Sequence, residues 1–171
     1  MSNRTVTFKG ETKKLVGPAL KAGDTAPDFA CADNALAVVT LAKTPAKARL
    51  FSVVPSLDTG VCQMQTKKFN DGLAVLKDKV ACYTVSLDMP FAQKRFCAAE
   101  NIVNLSNLSD LHNGSFGKNF GVLLEGLSIP LLSRAVFVVD KHNKITYVEI
   151  VPEVTSHPDY EKALAALQAA A

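Results

Sequence analysis

The sequence predicts an α/β domain, and three observations carry the prediction. Ala48 to Val54 is a nearly continuous apolar run with β-branched content, the pattern of a strand buried on both faces. Val80 to Ser86 is a second such run, and between the two Phe69, Leu73 and Leu76 recur at helical spacing in a segment that opens at Cys62. Further on, Arg134–Val139 and Ile145–Val151 flank the turn Asp140-Lys141-His142-Asn143, and an alanine-rich helical tail follows.

Taken in order, Val6-Thr7-Phe8 and Lys14-Leu15-Val16 flank Gly10-Glu11 as a β-hairpin, ended by Gly17-Pro18. The alternating run from Met1 to Gly10 lacks the apolar h-region of a signal peptide. Gly23-Asp24 and Pro27 mark turns, and Ala37–Leu41 reads as a short strand. The Cys62 helix is expected to run to Leu76. Pro90 to Cys97 reads as a short helix with proline in its first turn, Val103–Ser106 as a weak strand, and Phe116–Phe120 as a short helix stopped by Gly121. Pro158 opens the last helix, with Asp159 and Glu161 in its first turn and Tyr160, Leu164 and Leu167 on one face. Strand, helix and strand, then a hairpin and a terminal helix, is the order of the thioredoxin fold. The N-terminal hairpin is an extension of it and the middle segment an insertion. With no linker, repeat or low-complexity stretch, residues 1–171 are expected to form a single domain.

Composition narrows the function. At 48% hydrophobic and 20% charged, the 171 residues are ordinary globular protein, long enough to bury a core. The net charge of +3, from 19 basic and 16 acidic residues, is small and dispersed, which argues against nucleic-acid and membrane partners. No apolar run approaches the roughly 20 residues of a membrane span. A chain with neither signal peptide nor span is expected in the cytoplasm, where thiols stay reduced. Its four cysteines, Cys31, Cys62, Cys82 and Cys97, are then not a disulfide framework. No pair has C-x-x-C spacing and none of His112, His142 and His157 lies near a cysteine, so neither a metal nor a cofactor is called for.

Of the four cysteines, Cys62 has the setting of a nucleophile. It follows the strand Leu50–Val54 through Pro55-Ser56-Leu57-Asp58-Thr59-Gly60-Val61 and opens a helix. The free N–H groups of a helix N-terminus carry partial positive charge and favour thiolate over thiol. Cys31 and Cys82 read as small core residues, Cys82 being mid-strand between Ala81 and Tyr83.

These residues resemble a known family, the peroxiredoxins, and within it the bacterial thiol peroxidases, which are atypical 2-Cys enzymes. The resemblance rests on Pro55, Thr59 and Cys62 with their flanks, and on Ser86 to Cys97 with Cys97 at its end. It rests also on Arg134 before the strand Ala135–Val138, and on Pro158-Asp159-Tyr160-Glu161. It implies a peroxiredoxin-type thioredoxin fold. It further implies that Cys62 is the peroxidatic thiol, oxidised to a sulfenic acid by hydrogen peroxide or an organic hydroperoxide, and that Cys97 resolves it as an intramolecular disulfide. Thioredoxin is the implied reductant and a homodimer the implied assembly. Thr59, Arg134 and Pro55 are implied active-site residues, and Asp58 and Ser56 more simply shape the loop.

Chemistry assigns roles within that picture. A thiol of pKa about 8.5 is about 3% ionised at pH 7, and lowering its pKa to about 6 gains roughly 30-fold in thiolate. With a Brønsted slope of about 0.45, nucleophilicity falls roughly 13-fold, so the net gain is about twofold. The larger contribution must come from orienting and polarising the peroxide. Arg134 then supplies fixed N–H donors, Thr59 a hydroxyl that both donates and accepts, and Pro55 a wall without an N–H. The alternative on the same fold is a peroxide sensor, redox relay or holdase chaperone, in which a partner thiol intercepts the sulfenic acid. Protein disulfide exchange is disfavoured by the missing C-x-x-C.

Overall fold

Residues 3–76 and 78–171 are described by the structure, a computed structural model; the first two residues of the alternating N-terminal run and Lys77 lie outside that range. Strands β1 (Thr5–Phe8) and β2 (Glu11–Val16) pair antiparallel, with Phe8 opposite Glu11. The two-residue loop Lys9-Gly10 has φ of 52° and 81°. Positive φ at both positions is the type I′ geometry whose twist matches a hairpin.

Next come the two-residue strands β3 (Cys31–Ala32) and β4 (Val38–Val39), then a single 3-10 turn at Leu41–Lys43. The strand expected over Ala37–Leu41 is therefore cut short. Strand β5 (Ala48–Val53), helix α1 (Gly60–Gly72), strand β6 (Val80–Ser86), helix α2 (Pro90–Ala99) and strand β7 (Ser106–Ser109) build the middle of the chain. Helix α3 (Ser115–Asn119), strands β8 (Leu123–Glu125), β9 (Ala135–Val139) and β10 (Ile145–Ile150), and helix α4 (Tyr160–Ala170) complete it.

The main sheet runs β10-β9-β5-β6-β7-β3-β4, with β5 parallel to β6 and antiparallel to β9. All six residues of β5 are buried, as expected of a strand covered on both faces. Alternation sorts its side chains. Phe51 and Val53 join Phe116, Phe120 and Phe137 on one face. Leu50 joins Phe69 and Leu73 from the α1 segment, and Ala163 and Leu167 of α4, on the other. This is the thioredoxin-like arrangement that the element order predicts. A smaller sheet, β1-β2-β8, attaches the N-terminal hairpin.

Three expectations shift in position. The weak strand predicted at Val103–Ser106 lies instead at Ser106–Ser109. Asn70 Oδ1 accepts from the backbone N–H groups of Val103 and Asn104, at 2.9 Å each, so those residues are tied to α1 rather than to the ladder. Helix α1 ends at Gly72 rather than Leu76. A Cβ at Gly72 would lie 2.5 Å from Leu164 Cδ1, so the bare backbone is what lets α4 pack there. Helix α4 begins after Pro158, with Asp159 as its N-cap accepting from Lys162 N at 3.0 Å.

Gly121, expected to stop α3, has φ +68°, and a Cβ there would meet the Pro18 carbonyl at 2.0 Å. Arg4 Nη1 donates to the carbonyls of Pro18 and Gly121 at 2.6 and 2.9 Å. The hairpin is thereby held onto the α3–β8 corner. Among the described residues no helix is long and apolar enough to cross a membrane.

Candidate active site

The end of β5 delivers the chain into the loop Val54–Thr59 and then into α1. That loop is braced by Asp88, a residue singled out by nothing in its local sequence. Its carboxylate accepts from Ser56 Oγ at 2.7 Å, from the Leu57 N–H at 2.8 Å and from Ser86 Oγ at 2.7 Å. Ser56 therefore shapes the loop, as expected, while Asp58 is exposed.

Thr59 is the N-cap of α1, and Cys62 is the third residue of the helix. A threonine in that position ordinarily accepts an N–H of the first turn, a bond worth about 1 kcal/mol. Here the hydroxyl makes no such bond. Instead its oxygen lies 2.7 Å from Cys62 Sγ and 3.1 Å from the Ser56 carbonyl. One hydroxyl hydrogen cannot serve both. With Cys62 as a thiol, the S–H donates to Thr59 Oγ1 and the hydroxyl donates to Ser56. With Cys62 as a thiolate, the hydroxyl turns to the sulfur.

Arg134 reaches the same sulfur from the segment preceding β9. It is 2% exposed. Its guanidinium is spread over three acceptors: Nη2 donates to Cys62 Sγ at 3.2 Å, Nη1 to Gln65 Oε1 at 2.9 Å, and Nε to the Val154 carbonyl at 2.7 Å. Gln65 is itself fully buried and donates through Nε2 to Ser52 Oγ at 2.7 Å. The sequence reading missed Gln65, although a signal existed: it stands three residues after Cys62, on the same helix face.

Above these groups lies a cleft of about 340 Å3 lined by Phe8, Pro55, Thr59, Leu131, Arg134 and Val154, among others. Pro55 is buried and supplies wall without an N–H. Phe8 comes from the hairpin extension, which thus forms part of the cleft. Glu153 ties the two walls: its carboxylate accepts from Thr7 Oγ1, from the N–H groups of Lys9 and Gly10, and from Thr155. These bonds, the Thr155 and Thr7 hydroxyls first, pull its pKa down to about 2.

The other cysteines are placed differently. All four are free. Burial first, then the charge of Asp110, whose Oδ1 is 3.6 Å away, pushes the Cys31 thiol far up. Burial pushes Cys82 up to about 12. Cys97, on α2, is half-buried and accepts from Asn107 Nδ2 at 3.0 Å. Burial raises its pKa and the Asn107 bond works against that. Its side chain lines a second cleft with Ile102, Leu105 and Asn107, yet it packs against the apolar cluster that includes Cys62, Phe96 and Ile102. The three histidines take no part in either cleft, His157 Nδ1 pairing with the Tyr160 hydroxyl at 2.6 Å. Among the described residues no three His, Cys, Asp or Glu side chains converge as metal ligands.

A thioredoxin-like sheet with a buried thiol at a helix start, clasped by a hydroxyl and a guanidinium, defines the class as thiol-based redox proteins. The chain belongs to the redoxin family, whose model matches residues 21–164. It is 52% identical over 166 residues to the thiol peroxidase of Halalkalibacterium halodurans, covering 97% of this chain and 98% of that protein. Its fold superposes on the crystal structure of a peroxiredoxin-like protein from Aquifex aeolicus with a TM-score of 0.91, at 40% identity and 98% coverage of both chains. A thiol peroxidase from Chromobacterium violaceum shares the fold at a TM-score of 0.87 and 20% identity, covering 98% of this chain and 97% of that one.

Proposed function

We propose that this chain is a thiol-dependent peroxidase in which Cys62 reduces a hydroperoxide and Cys97 resolves the product. The observation that carries the reading is the convergence of Thr59 Oγ1 and Arg134 Nη2 on Cys62 Sγ, at 2.7 and 3.2 Å, beneath a cleft walled by Pro55.

The thiolate attacks the terminal peroxide oxygen, an S–O bond forms and the O–O bond breaks. Hydroxide or alkoxide leaves, takes up a proton and departs as water or alcohol. Cys62 is left as a sulfenic acid. Arg134, held by Gln65 and Val154, offers donors fixed before the reaction begins, so the charge that develops on the peroxide oxygens needs little reorganisation. The Thr59 hydroxyl turns from Ser56 to the sulfur or the peroxide as the proton inventory changes. Pro55 keeps a competing donor and water off the site.

Cys97 then condenses with the sulfenic acid. Cys62 Sγ, on α1, is held by Thr59 and Arg134, and Cys97 Sγ, on α2, by Asn107, so one or both helices must loosen first. An external dithiol of the thioredoxin type reduces the bridge by exchange. The family resemblance favours a cytoplasmic homodimer.

Stopped-flow peroxide consumption with thioredoxin and its reductase tests the reading, with mass spectrometry after one equivalent of peroxide. Wild type should turn over and carry a Cys62–Cys97 bridge within one chain. Cys62→Ser should consume no peroxide while staying folded. Cys97→Ser should consume one equivalent, then lose turnover and accumulate sulfinic acid. A bridge to Cys31 or Cys82 overturns the assignment of Cys97. Stoichiometric oxidation without turnover points instead to the sensor or relay.

A further inference from the structure

Cys62 and Cys97 are held in contrasting ways. Around Cys62 the three donor groups of Arg134 and both ends of the Gln65 amide have partners. Around Cys97 the seam between α2 and β7 is polar, buried and incompletely paired. Asn107, on β7 and 2% exposed, donates through Nδ2 to Cys97 Sγ at 3.0 Å and to the Gln93 carbonyl at 3.3 Å. Gln93, on α2 and fully buried, returns a bond from Nε2 to the Leu108 carbonyl at 3.1 Å and another to Ser86 Oγ at 3.0 Å. Yet Asn107 Oδ1 and Gln93 Oε1 are both buried with no hydrogen-bond partner among the described residues.

Apolar attachment of α2 is slight. Its buried residues are Pro90, Gln93 and Phe96, while Phe91 stays 61% exposed. A buried acceptor left unpaired costs the closed state its desolvation, a cost that vanishes once water reaches it. The seam therefore closes α2 onto the sheet with little free energy to spare, the condition for a segment that opens locally.

We propose that Asn107 is the latch of the resolving thiol: it holds Cys97 and α2 against β7 in the reduced enzyme, and its release sets the rate at which Cys97 reaches oxidised Cys62. This rests on Cys97 being the resolving cysteine. Once α2 opens, the Cys97 thiolate attacks the sulfenic sulfur, the S–S bond forms and the S–O bond breaks. Hydroxide leaves and takes up the proton that Cys97 gave up, as water; Cys97 is oxidised and the Cys62 sulfur reduced. A second peroxide competes for the same sulfenic acid and yields sulfinic acid. The strength of the latch thus sets how much peroxide the enzyme survives.

Asn107→Ala removes both bonds to α2, and Asn107→Leu does so while filling the space. Two bonds are lost, and relief of the unpaired Oδ1 offsets about one of them, so the net loss of about one neutral hydrogen bond makes opening about fivefold more frequent. In both variants the first oxidation of Cys62 should keep its rate, and the bridge should form about fivefold faster. The peroxide concentration giving half sulfinic acid should rise, and amide exchange across residues 90–99 of the reduced protein should quicken, by the same factor. Gln93→Leu, which breaks the seam from the helix side, should act likewise and serves if the Asn107 variants fail to fold. General damage would not accelerate one chemical step while leaving another untouched. Bridging that is unchanged or slower in these variants overturns the latch, provided Cys97→Ser forms no bridge. A bridge that persists in Cys97→Ser refutes the assignment of Cys97 itself.

Discussion

Replacing Arg134 by lysine separates activation of the peroxide from ionisation of the thiol. Lysine keeps the charge but carries its donors on one nitrogen. It cannot span the Cys62 sulfur, Gln65 Oε1 and the Val154 carbonyl, which lie on separate segments. Two acceptors are stranded, at about 1–3 kcal/mol each, so the variant should be about 2–6 kcal/mol less stable. Thermal unfolding measures that loss and fixes a temperature at which the variant is still folded. The kinetic effect is worked from the two possible roles. Were Arg134 to act through ionisation alone, the thiolate lost and the nucleophilicity gained would nearly cancel, leaving about twofold. Losing a preorganised donor aimed at developing charge costs about 100-fold or more, about 2.7 kcal/mol. In single-turnover stopped flow, oxidation of Cys62 by hydrogen peroxide should therefore fall about 100-fold. Alkylation of Cys62 by iodoacetamide, which meets no peroxide oxygens, should change by about twofold. Equal losses in the two reactions would refute the reasoning and leave Arg134 a role in ionisation alone.

Two further outcomes follow from the surroundings of other groups. With Cys31 driven far up by burial and Asp110, and Cys82 pushed up to about 12 by burial, alkylation of the native reduced protein at pH 8 should label Cys62 and Cys97 and spare the other two; peptide mapping that finds Cys31 or Cys82 modified before unfolding would contradict their placement. Glu153, lowered to about 2 from an ordinary 4.5, stabilises the folded state above about pH 4.5 and loses that contribution as pH falls through about 2. The Lys9 and Gly10 amide resonances should titrate with a midpoint near 2, and a midpoint near 4.5 would mean that the carboxylate does not hold the hairpin.

Legibility from sequence followed the range of the interactions. Strands β5 and β6 and helices α1 and α4 were readable because burial on one or two faces writes a period into the residues themselves. The same pattern misplaced β7: Val103 looks like strand, but the amide of Asn70, more than thirty positions earlier, takes its N–H. Cys62 stood out from its own flanks, at the join of an apolar strand and a helix start. Arg134 did not; before a strand it reads as a surface charge, and only the family resemblance marked it. Gln65 was within reach of a helical-face argument. Asp88 and Asn107 were not, since each acts on a segment distant in sequence and its neighbours carry no trace of the contact.

The contrast between the two thiols follows from the roles proposed for them. Attack on a peroxide is accelerated by groups that are already in place, so motion around Cys62 is a cost; its donors are paired at both ends and Arg134 is 2% exposed. On the proposed resolving role, Cys97 must leave Asn107 to meet Cys62, so rigidity around Cys97 is a cost. Uniform packing cannot serve both. A fully satisfied α2–β7 seam would keep Cys97 from its partner and leave the sulfenic acid to the next peroxide. A loose Cys62 site would forfeit the preorganised donors on which the first step depends. On the proposed roles, the chain meets both demands by pairing every donor group of Arg134 and both ends of the Gln65 amide around Cys62 and leaving Asn107 Oδ1 and Gln93 Oε1 unpaired beside α2. On this reasoning a substitution that completes the seam, giving Asn107 Oδ1 or Gln93 Oε1 a donor, should stabilise the protein to heat and at the same time make it more easily over-oxidised.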